Sequence, residues 1–181
     1  MTVFSDIKYL ADGTPVQQAA HAAIVSLGIL QDLAVHEPLV AGTIPIDINI
    51  PGSDIDIICR AADYAKFSKL INKLYGGKKK FKENIFENHY VCGFEFENFI
   101  FEIYAQNIPP QKQNAYLHML IEGRILNLKG QDFKKEIIKL KINGIKTEPA
   151  FGKLLNLVNP YTDLLELQKM TDAELKKFLE L

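Results

Sequence analysis

The sequence predicts an α/β (α+β) fold, in which a small mixed sheet is backed by helices on one face and is followed by a helical C-terminal half. The first half of the chain alternates β-branched and aromatic runs with helix-capping signals, whereas the second half is helical in pattern almost throughout. The 181 residues are 48% hydrophobic and 24% charged, an ordinary globular composition. We expect an α/β core over residues 1–108 and a helical region over residues 109–181 packed on it, unless the two form one continuous domain.

The first long helix is predicted to begin after Thr14. Thr14 is a favoured N-cap residue, and Pro15 suits the first helical position because its fixed φ is already helical. The alanines that follow favour a helix as far as about Leu27, and Gly28 marks its end.

Two short strands with a shaped loop between them come next. Residues 38–41 form a short apolar run, and residues 55–59 form a β-branched one. The intervening residues 43–53 contain two prolines and a glycine, which favour a loop over a regular element. Asp63 then caps a second helix that extends through Leu74.

A β-hairpin is predicted over residues 89–105, with its turn at Glu97-Asn98. This turn would give one face of the pair a continuous apolar stripe. The residues that face each other are Phe96 with Phe99, Phe94 with Phe101, Cys92 with Ile103, and Gly93 with Glu102. The lysines just before this hairpin, Lys78, Lys79, Lys80 and Lys82, are predicted to lie in a solvated loop.

The second half is predicted to consist of helices separated by glycine and proline. The first two helices of this half are predicted to end near Gly130 and at Gly144. Thr171 with Glu174 forms a capping-box pattern near the end of the chain. The expected segments are Gln111 to about Leu128, Asp132 to Asn143, Lys146 to Val158, Tyr161 to Lys169, and a final helix after Thr171.

Composition excludes several classes of function. The 21 basic and 22 acidic residues nearly balance, so broad DNA binding through phosphates is not expected. No apolar run approaches the ~20 residues that span a bilayer, so no membrane segment is expected. Cys59 and Cys92 are isolated and lack metal-ligand spacing, which favours buried thiols in a reduced, cytoplasmic protein.

The pattern most informative about chemistry is Gly42-Thr43, ten further residues, and then Asp54-Ile55-Asp56. Carboxylates at positions i and i+2 of a strand project from the same face, a little under ~7 Å apart along the chain. Such a pair can share divalent cations such as Mg²⁺. Both acids stand at the head of their strand, which argues against phosphatases of the haloacid dehalogenase type and many sugar transferases, where an apolar strand precedes the acids.

This arrangement resembles the nucleotidyltransferase superfamily of the polymerase-beta type. The resemblance implies that Asp54, Asp56 and a third acid from a neighbouring strand, Glu102, are catalytic and bind Mg²⁺ or Mn²⁺. It also implies a nucleoside triphosphate substrate, with Gly42 and Thr43 at its phosphates. Ser53 and Lys146 are further candidates for nucleotide binding, although a surface lysine at a helix start is an equally good interpretation of Lys146.

Four motifs together resemble a narrower, uncharacterised bacterial branch of that superfamily, known as a domain of unknown function. The resemblance covers roughly residues 9–165 and supplies a fold rather than a substrate. The motifs are Gly42-Thr43-Ile44-Pro45, Gly52-Ser53-Asp54-Ile55-Asp56, Gln113-Asn114-Ala115-Tyr116-Leu117-His118-Met119 and Lys146-Thr147-Glu148-Pro149-Ala150-Phe151.

A stripe of polar side chains runs along the first helix of the second half. It consists of Gln111, Asn114, His118 and Glu122, at spacings of three, four and four residues. The stripe is either the solvated face of a packed helix or, for Asn114, His118 and Glu122, the lining of a substrate cleft. Zinc is not indicated, because no third ligand accompanies His118 and Glu122 at a recognisable spacing.

The function predicted from these features is Mg²⁺-dependent transfer of a nucleotidyl group from a nucleoside triphosphate to a hydroxyl or phosphate acceptor. The acceptor could be a small molecule, a protein or RNA, and the base preference is open. The alternative is a non-catalytic nucleotide-binding or protein-interaction module on the same fold. A metal-dependent phosphohydrolase is a weaker third alternative.

Overall fold

The computed structural model describes residues 3–181. They form two compact units, the first comprising the chain through Asp47 together with Gly52–Gln113, and the second comprising Ile48–Pro51 together with Asn114–Leu181. The four residues 48–51 therefore group with the C-terminal helices, although they lie in the loop between the first two strands.

A five-stranded mixed sheet is the centre of the first unit. Its order is β1-β2-β5-β4-β3, in which only the β2–β5 pair is parallel. This sheet confirms the predicted mixed α/β fold class. The strands are β1 (Leu39–Ala41), β2 (Ile55–Arg60), β3 (Lys79–Ile85), β4 (Tyr90–Phe96) and β5 (Phe99–Gln106).

Among the described residues, the first unit has four α-helices, which are α1 (Lys8–Ala11), α2 (Pro15–Leu27), α3 (Ile29–Asp32) and α4 (Tyr64–Tyr75). Of these, α2 and α4 begin after their predicted capping residues, while the short α1 and α3 were not predicted. The backbone of Thr14 donates to Gln17 Oε1 at 3.0 Å at the start of α2, and Gly28 ends that helix with φ of 71°. Asp63 caps α4 by accepting from the backbone of Lys66 at 2.9 Å.

The hydrophobic core lies between these helices and one face of the sheet. Ile57 of β2 and Ile103 of β5, which are paired in register, are both fully buried. Phe67 of α4 meets the ring of Tyr90 edge-on at 5.2 Å. Since side chains alternate along a strand, the residues between the buried ones point to the opposite face of the sheet.

The hairpin of β4 and β5 has the predicted register. Phe96 pairs with Phe99, and Gly93 pairs with Glu102. Cys92, which faces Ile103, is buried, and so is Cys59, as predicted. Alternation of Phe, Cys and Ile with smaller or polar residues is sufficient to define this register because a slip of one residue would expose every apolar side chain.

The predicted solvated loop over Lys78, Lys79, Lys80 and Lys82 is wrong for the last three lysines, because they belong to edge strand β3, whereas Lys78 lies in the bend before it. The residues of β3 are mostly exposed, and Phe81 and Glu83 are the two partly buried ones. Phe81 packs against the core, whereas the acidic Glu83 accepts hydrogen bonds from Tyr90 at 2.7 Å and Ser68 at 3.0 Å. A carboxylate on the inner face interrupts the alternation that identifies a strand. Lysines are common on edge strands, where they discourage pairing with other chains.

The second unit is helical. Its helices are α5 (Asn114–Ile142), α6 (Thr147–Leu155), α7 (Pro160–Gln168) and α8 (Asp172–Phe178). Gly130, with φ of 77°, interrupts α5 at the predicted stop, and Thr171 with Glu174 caps α8 as predicted. No helix among the described residues combines the length and apolar character that a bilayer crossing needs.

The predicted helix start at Gln111 is wrong. Gln111 lies in a single 3₁₀ turn over Pro110–Lys112, and the extended backbone of Gln113 separates that turn from α5. The Gln113 side chain, which is 1% exposed, donates to the carbonyls of Cys59 at 2.8 Å and Ile108 at 2.9 Å. Its hydrogen bonds hold the chain extended at this point, so the helix begins at Asn114.

Candidate active site

Three predicted acids lie at adjacent positions on one face of the sheet. Asp56 and Glu102 are direct register partners on the parallel strands β2 and β5, so both side chains point away from the helix-packed face. Asp54 stands immediately before β2, two residues from Asp56. On the other side of Glu102 lies Gly93, which adds no side chain to the space around the carboxylate.

The electrostatics of the acids favour a bound cation. Burial raises the pKa of Glu102, and the negative charge of Asp54 raises it further. A divalent cation would relieve this repulsion, and carboxylate oxygens are the ligands that Mg²⁺ and Mn²⁺ prefer. Across residues 3–181, no three His, Cys, Asp or Glu side chains are already grouped closely enough to hold a metal. The chemistry of the three carboxylates fits a hard divalent cation.

Gly42 gives the Asp56 carboxylate its space. Its φ is +83°, a left-handed conformation that glycine adopts at no steric cost. A Cβ atom at this position would overlap Oδ2 of Asp56. Thr43, next in the chain, is half-buried, and so is Ser53 beside Asp54. The turn after β1 thus brings a side-chain-free backbone against one of the three acids.

The N-terminus of α2 holds the loop between β1 and β2. Gln17, 7% exposed, donates to the carbonyls of Ile44 at 2.9 Å and Pro45 at 3.2 Å. Thr14 donates from Oγ1 to Asp47 Oδ1 at 3.1 Å. The sequence did not reveal these positioning residues, because their only local signal is a capping pattern.

A buried lysine holds another part of the same loop within the second unit. Lys141, 7% exposed, donates to the carbonyl of Ile48 at 2.7 Å. Nothing in the pattern of its helix distinguishes Lys141 from the exposed lysines around it, so this contact too was not predicted.

The polar stripe of α5 does not form a solvated face. Asn114 is exposed, but His118 and Glu122 are only 7% and 4% exposed. His118 Nε2 lies 2.8 Å from the carbonyl oxygen of Tyr161, and its Nδ1 lies 3.4 Å from Glu148 Oε1. The solvated-face interpretation is therefore wrong for His118 and Glu122, because their polar neighbours come from α6 and α7. The assignment of Asn114, His118 and Glu122 to a substrate cleft stays a prediction.

The side chains of His118, Glu122 and Glu148 shift each other's pKa. Burial alone would lower the pKa of His118, but the Glu148 carboxylate and the Tyr161 carbonyl outweigh it, so the pKa is raised. Burial would raise the pKa of Glu148, but its contacts with His118 lower it. The pKa of Glu122 is raised well above its usual range by burial and by the charge of Glu148. Glu122 Oε1 has no hydrogen-bond partner among the described residues.

Lys146, the remaining predicted phosphate ligand, is exposed at the N-cap position of α6. Its role in nucleotide binding stays a prediction.

Residues 22–167 match the family described as Domain of unknown function (DUF4269). The chain belongs to DUF4269. No curated protein matches this DUF4269 chain.

Solved structures similar to the DUF4269 chain include two RNA terminal uridylyl transferases and a GLD-2/RNP-8 complex. Cid1, which has RNA terminal uridylyl transferase activity, has a TM-score of 0.55 and 12% identity, covering 89% of this chain and 53% of that one. A cytoplasmic RNA terminal U-transferase has a TM-score of 0.56 and 14% identity, covering 89% and 51%. A GLD-2/RNP-8 complex has a TM-score of 0.57 and 11% identity, covering 97% and 83%.

These similarities establish a nucleotidyltransferase-like fold for the DUF4269 chain, as the sequence resemblance predicted. The chain spans about half the length of the uridylyl transferases that it matches.

Proposed function

We propose that this protein is a Mg²⁺-dependent nucleotidyltransferase, which transfers a nucleotidyl group from a nucleoside triphosphate to a hydroxyl or phosphate acceptor. The observation that carries the proposal is the register pairing of Asp56 with Glu102 on adjacent parallel strands, with Asp54 next to them and Gly42 against Asp56. The similarity of the fold to RNA terminal uridylyl transferases supports the same reaction class.

In this proposal Asp54, Asp56 and Glu102 hold the divalent cation. When bound, the cation activates the acceptor oxygen and neutralises the charge that develops on pyrophosphate. Gly42 leaves the Asp56 carboxylate the space that it occupies. The Thr43 hydroxyl, next in the chain, donates a hydrogen bond to a phosphate group of the nucleotide. A hydroxyl acceptor gives its proton to one of the three carboxylates, and its oxygen forms a bond to the α-phosphorus. The bond from that phosphorus to the bridging oxygen breaks, and pyrophosphate leaves with that electron pair.

A non-catalytic nucleotide-binding module is the second candidate. It is favoured by the observation that no metal-binding group of three side chains is already assembled among the described residues. Thr43 in place of the more usual Ser adds a methyl group near the phosphates, which favours the same alternative.

Mass spectrometry of the purified protein with Mg²⁺ and each nucleoside triphosphate distinguishes the candidates. Nucleotidyl transfer yields pyrophosphate and a nucleotidylated acceptor, whereas a binding module returns intact nucleotide and a phosphohydrolase releases free phosphate. Asp54→Asn and Asp56→Asn should abolish transfer. Asp12→Asn is the matched control, because Asp12 is exposed and lies outside the loop that leads to the acids.

We also propose a cytoplasmic location, because Cys59 and Cys92 are free and buried, as suits a reducing compartment. A bacterial origin follows only from the sequence resemblance.

A further inference from the structure

Three aromatic rings form a continuous stack beside the candidate active site. Phe86 stacks on His89 with ring centroids 4.3 Å apart and planes 11° apart. His89 in turn stacks on Tyr104 at 5.0 Å and 28°. The turn between β3 and β4 creates this arrangement, since the Phe86 backbone donates to the His89 carbonyl at 2.9 Å. Phe86 is 47% exposed, so the outer ring of the stack is open to solvent.

The stack lies on the same face of the sheet as the acids. Tyr104 follows Glu102 by two residues on β5, so the two side chains project from one face. Tyr104 and Glu102 also interact electrostatically. Burial raises the pKa of Tyr104, and the charges of Tyr64 and Glu102 raise it further. The ring stack therefore begins beside the acids and continues outward to the sheet edge.

Edge strand β3 adds two polar groups to this face. Lys82, Asn84 and Phe86 are alternate residues, so their side chains share one face at steps of about 7 Å. Lys82 pairs in register with Gly93, which pairs with Glu102. A Cβ at Gly93 would have only the Phe101 carbonyl oxygen near it, at 3.7 Å. Gly93 therefore places no side chain between Glu102 and Lys82 on this face of the sheet.

Lys82 forms no ion pair with any residue in 3–181, unlike Lys79 and Lys80, which both pair with Glu95. Lys82 offers a cation, Asn84 an amide and Phe86 an open ring. These groups can bind the phosphate, the sugar hydroxyl and the base of a nucleotide chain, respectively.

We propose that this face binds the 3′ end of a single-stranded RNA as the acceptor. A base stacks on the open ring of Phe86, Lys82 binds a phosphate, and the terminal hydroxyl lies at the acids. The inference rests on the proposed function and names its acceptor. The Asn84 amide is placed to contact a 2′-hydroxyl, which is the group that distinguishes RNA from DNA.

The size of the surface indicates a polymer. Phe86 and Glu102 are two strands and four residues apart, roughly 16 Å between their backbones at ~4.8 Å between strands and ~3.4 Å per residue. Stacked nucleotides rise ~3.4 Å each, so an acceptor that reaches both residues contains several nucleotides. The near-neutral chain fits a single-stranded end held mainly by stacking better than a duplex held by many phosphates.

Fluorescence polarisation with a labelled ten-nucleotide RNA of mixed sequence, without nucleoside triphosphate, tests the inference. Phe86→Leu should weaken binding about tenfold because it removes the stacking ring. Ile85→Ala is the matched control, since Ile85 is 53% exposed on the opposite face of the same strand. Lys82→Gln should lower the salt dependence of binding by about 0.7 in the log–log slope, whereas Lys73→Gln on α4 should not.

Equal RNA affinity of wild type, Phe86→Leu and Lys82→Gln would overturn the inference, and so would equal binding of DNA of the same sequence. Binding of Mg²⁺ and a non-hydrolysable nucleotide analogue is measured separately on the same variants and should be unchanged. Loss of RNA binding with nucleotide binding intact supports the acceptor site. A wild type that binds nucleotide and transfers it, but not to RNA, overturns the acceptor site and leaves nucleotidyl transfer standing.

Discussion

Replacement of Gly42 by alanine should damage the candidate site in a way that the structure makes quantitative. The new methyl group would overlap Oδ2 of Asp56, so the carboxylate must move. The φ of +83° adds a strain of about 1–2 kcal/mol, because a Cβ in the left-handed conformation approaches the following carbonyl. We expect Gly42→Ala to lower the free energy of unfolding by more than this strain alone and to abolish metal-dependent nucleotide binding.

Gly28→Ala is the matched control for the backbone strain. Gly28 has φ of +71° at the end of α2, and a Cβ there would have nothing within 4 Å. Urea unfolding of both variants separates the shared strain from the clash with Asp56. Calorimetric titration with Mg²⁺ and a non-hydrolysable nucleotide then measures the effect on the site. Equal destabilisation of the two variants, with nucleotide binding retained in Gly42→Ala, would refute the reasoning.

Three further substitutions test the packing. Glu122→Gln should raise the free energy of unfolding at pH 7 by on the order of 1 kcal/mol, since it removes the desolvation cost of a buried carboxylate. Because the pKa of Glu122 is raised in the folded state, the gain in stability should vanish below pH ~4.3 when unfolding is measured against pH. A gain that is the same at every pH would contradict this explanation. Because the pKa of His118 is raised in the folded state, its protonation stabilises the fold fully below pH ~6.5, and this stability is lost as the pH rises through the folded-state pKa. His118→Ala should therefore flatten the pH dependence of thermal unfolding above pH ~6.5, and an unchanged profile would argue against this contribution. Asp63→Ala should cost about 1 kcal/mol by urea unfolding because it removes the cap of α4, and no change would mean that the cap contributes nothing.

Local patterns were sufficient to predict much of the fold. The hairpin register follows from the alternation that places Phe94 opposite Phe101, and the position of the acids follows from the strand that starts at Ile55. Helix boundaries followed from single residues, such as Thr14 and Gly28, whose preferences are determined by the backbone alone.

Features that depend on tertiary partners could not be predicted in this way. On the inner face of strand β3, Glu83 follows Phe81, and its carboxylate bonds to groups of α4 and β4, so the apolar alternation is interrupted. The stacking of His89 on Phe86 could not be predicted, because it depends on the turn that joins β3 to β4. His118 looked like an exposed helix residue because Glu148 is thirty positions away in the chain.

Calorimetric titration of the protein with a non-hydrolysable nucleoside triphosphate, with and without Mg²⁺, tests the central claim most directly. The account predicts that nucleotide binding requires Mg²⁺ and is lost in Asp56→Asn and Glu102→Gln, while Glu97→Gln in the exposed hairpin turn binds as wild type does. Mg²⁺-independent binding, or binding that survives removal of both paired acids, would contradict it.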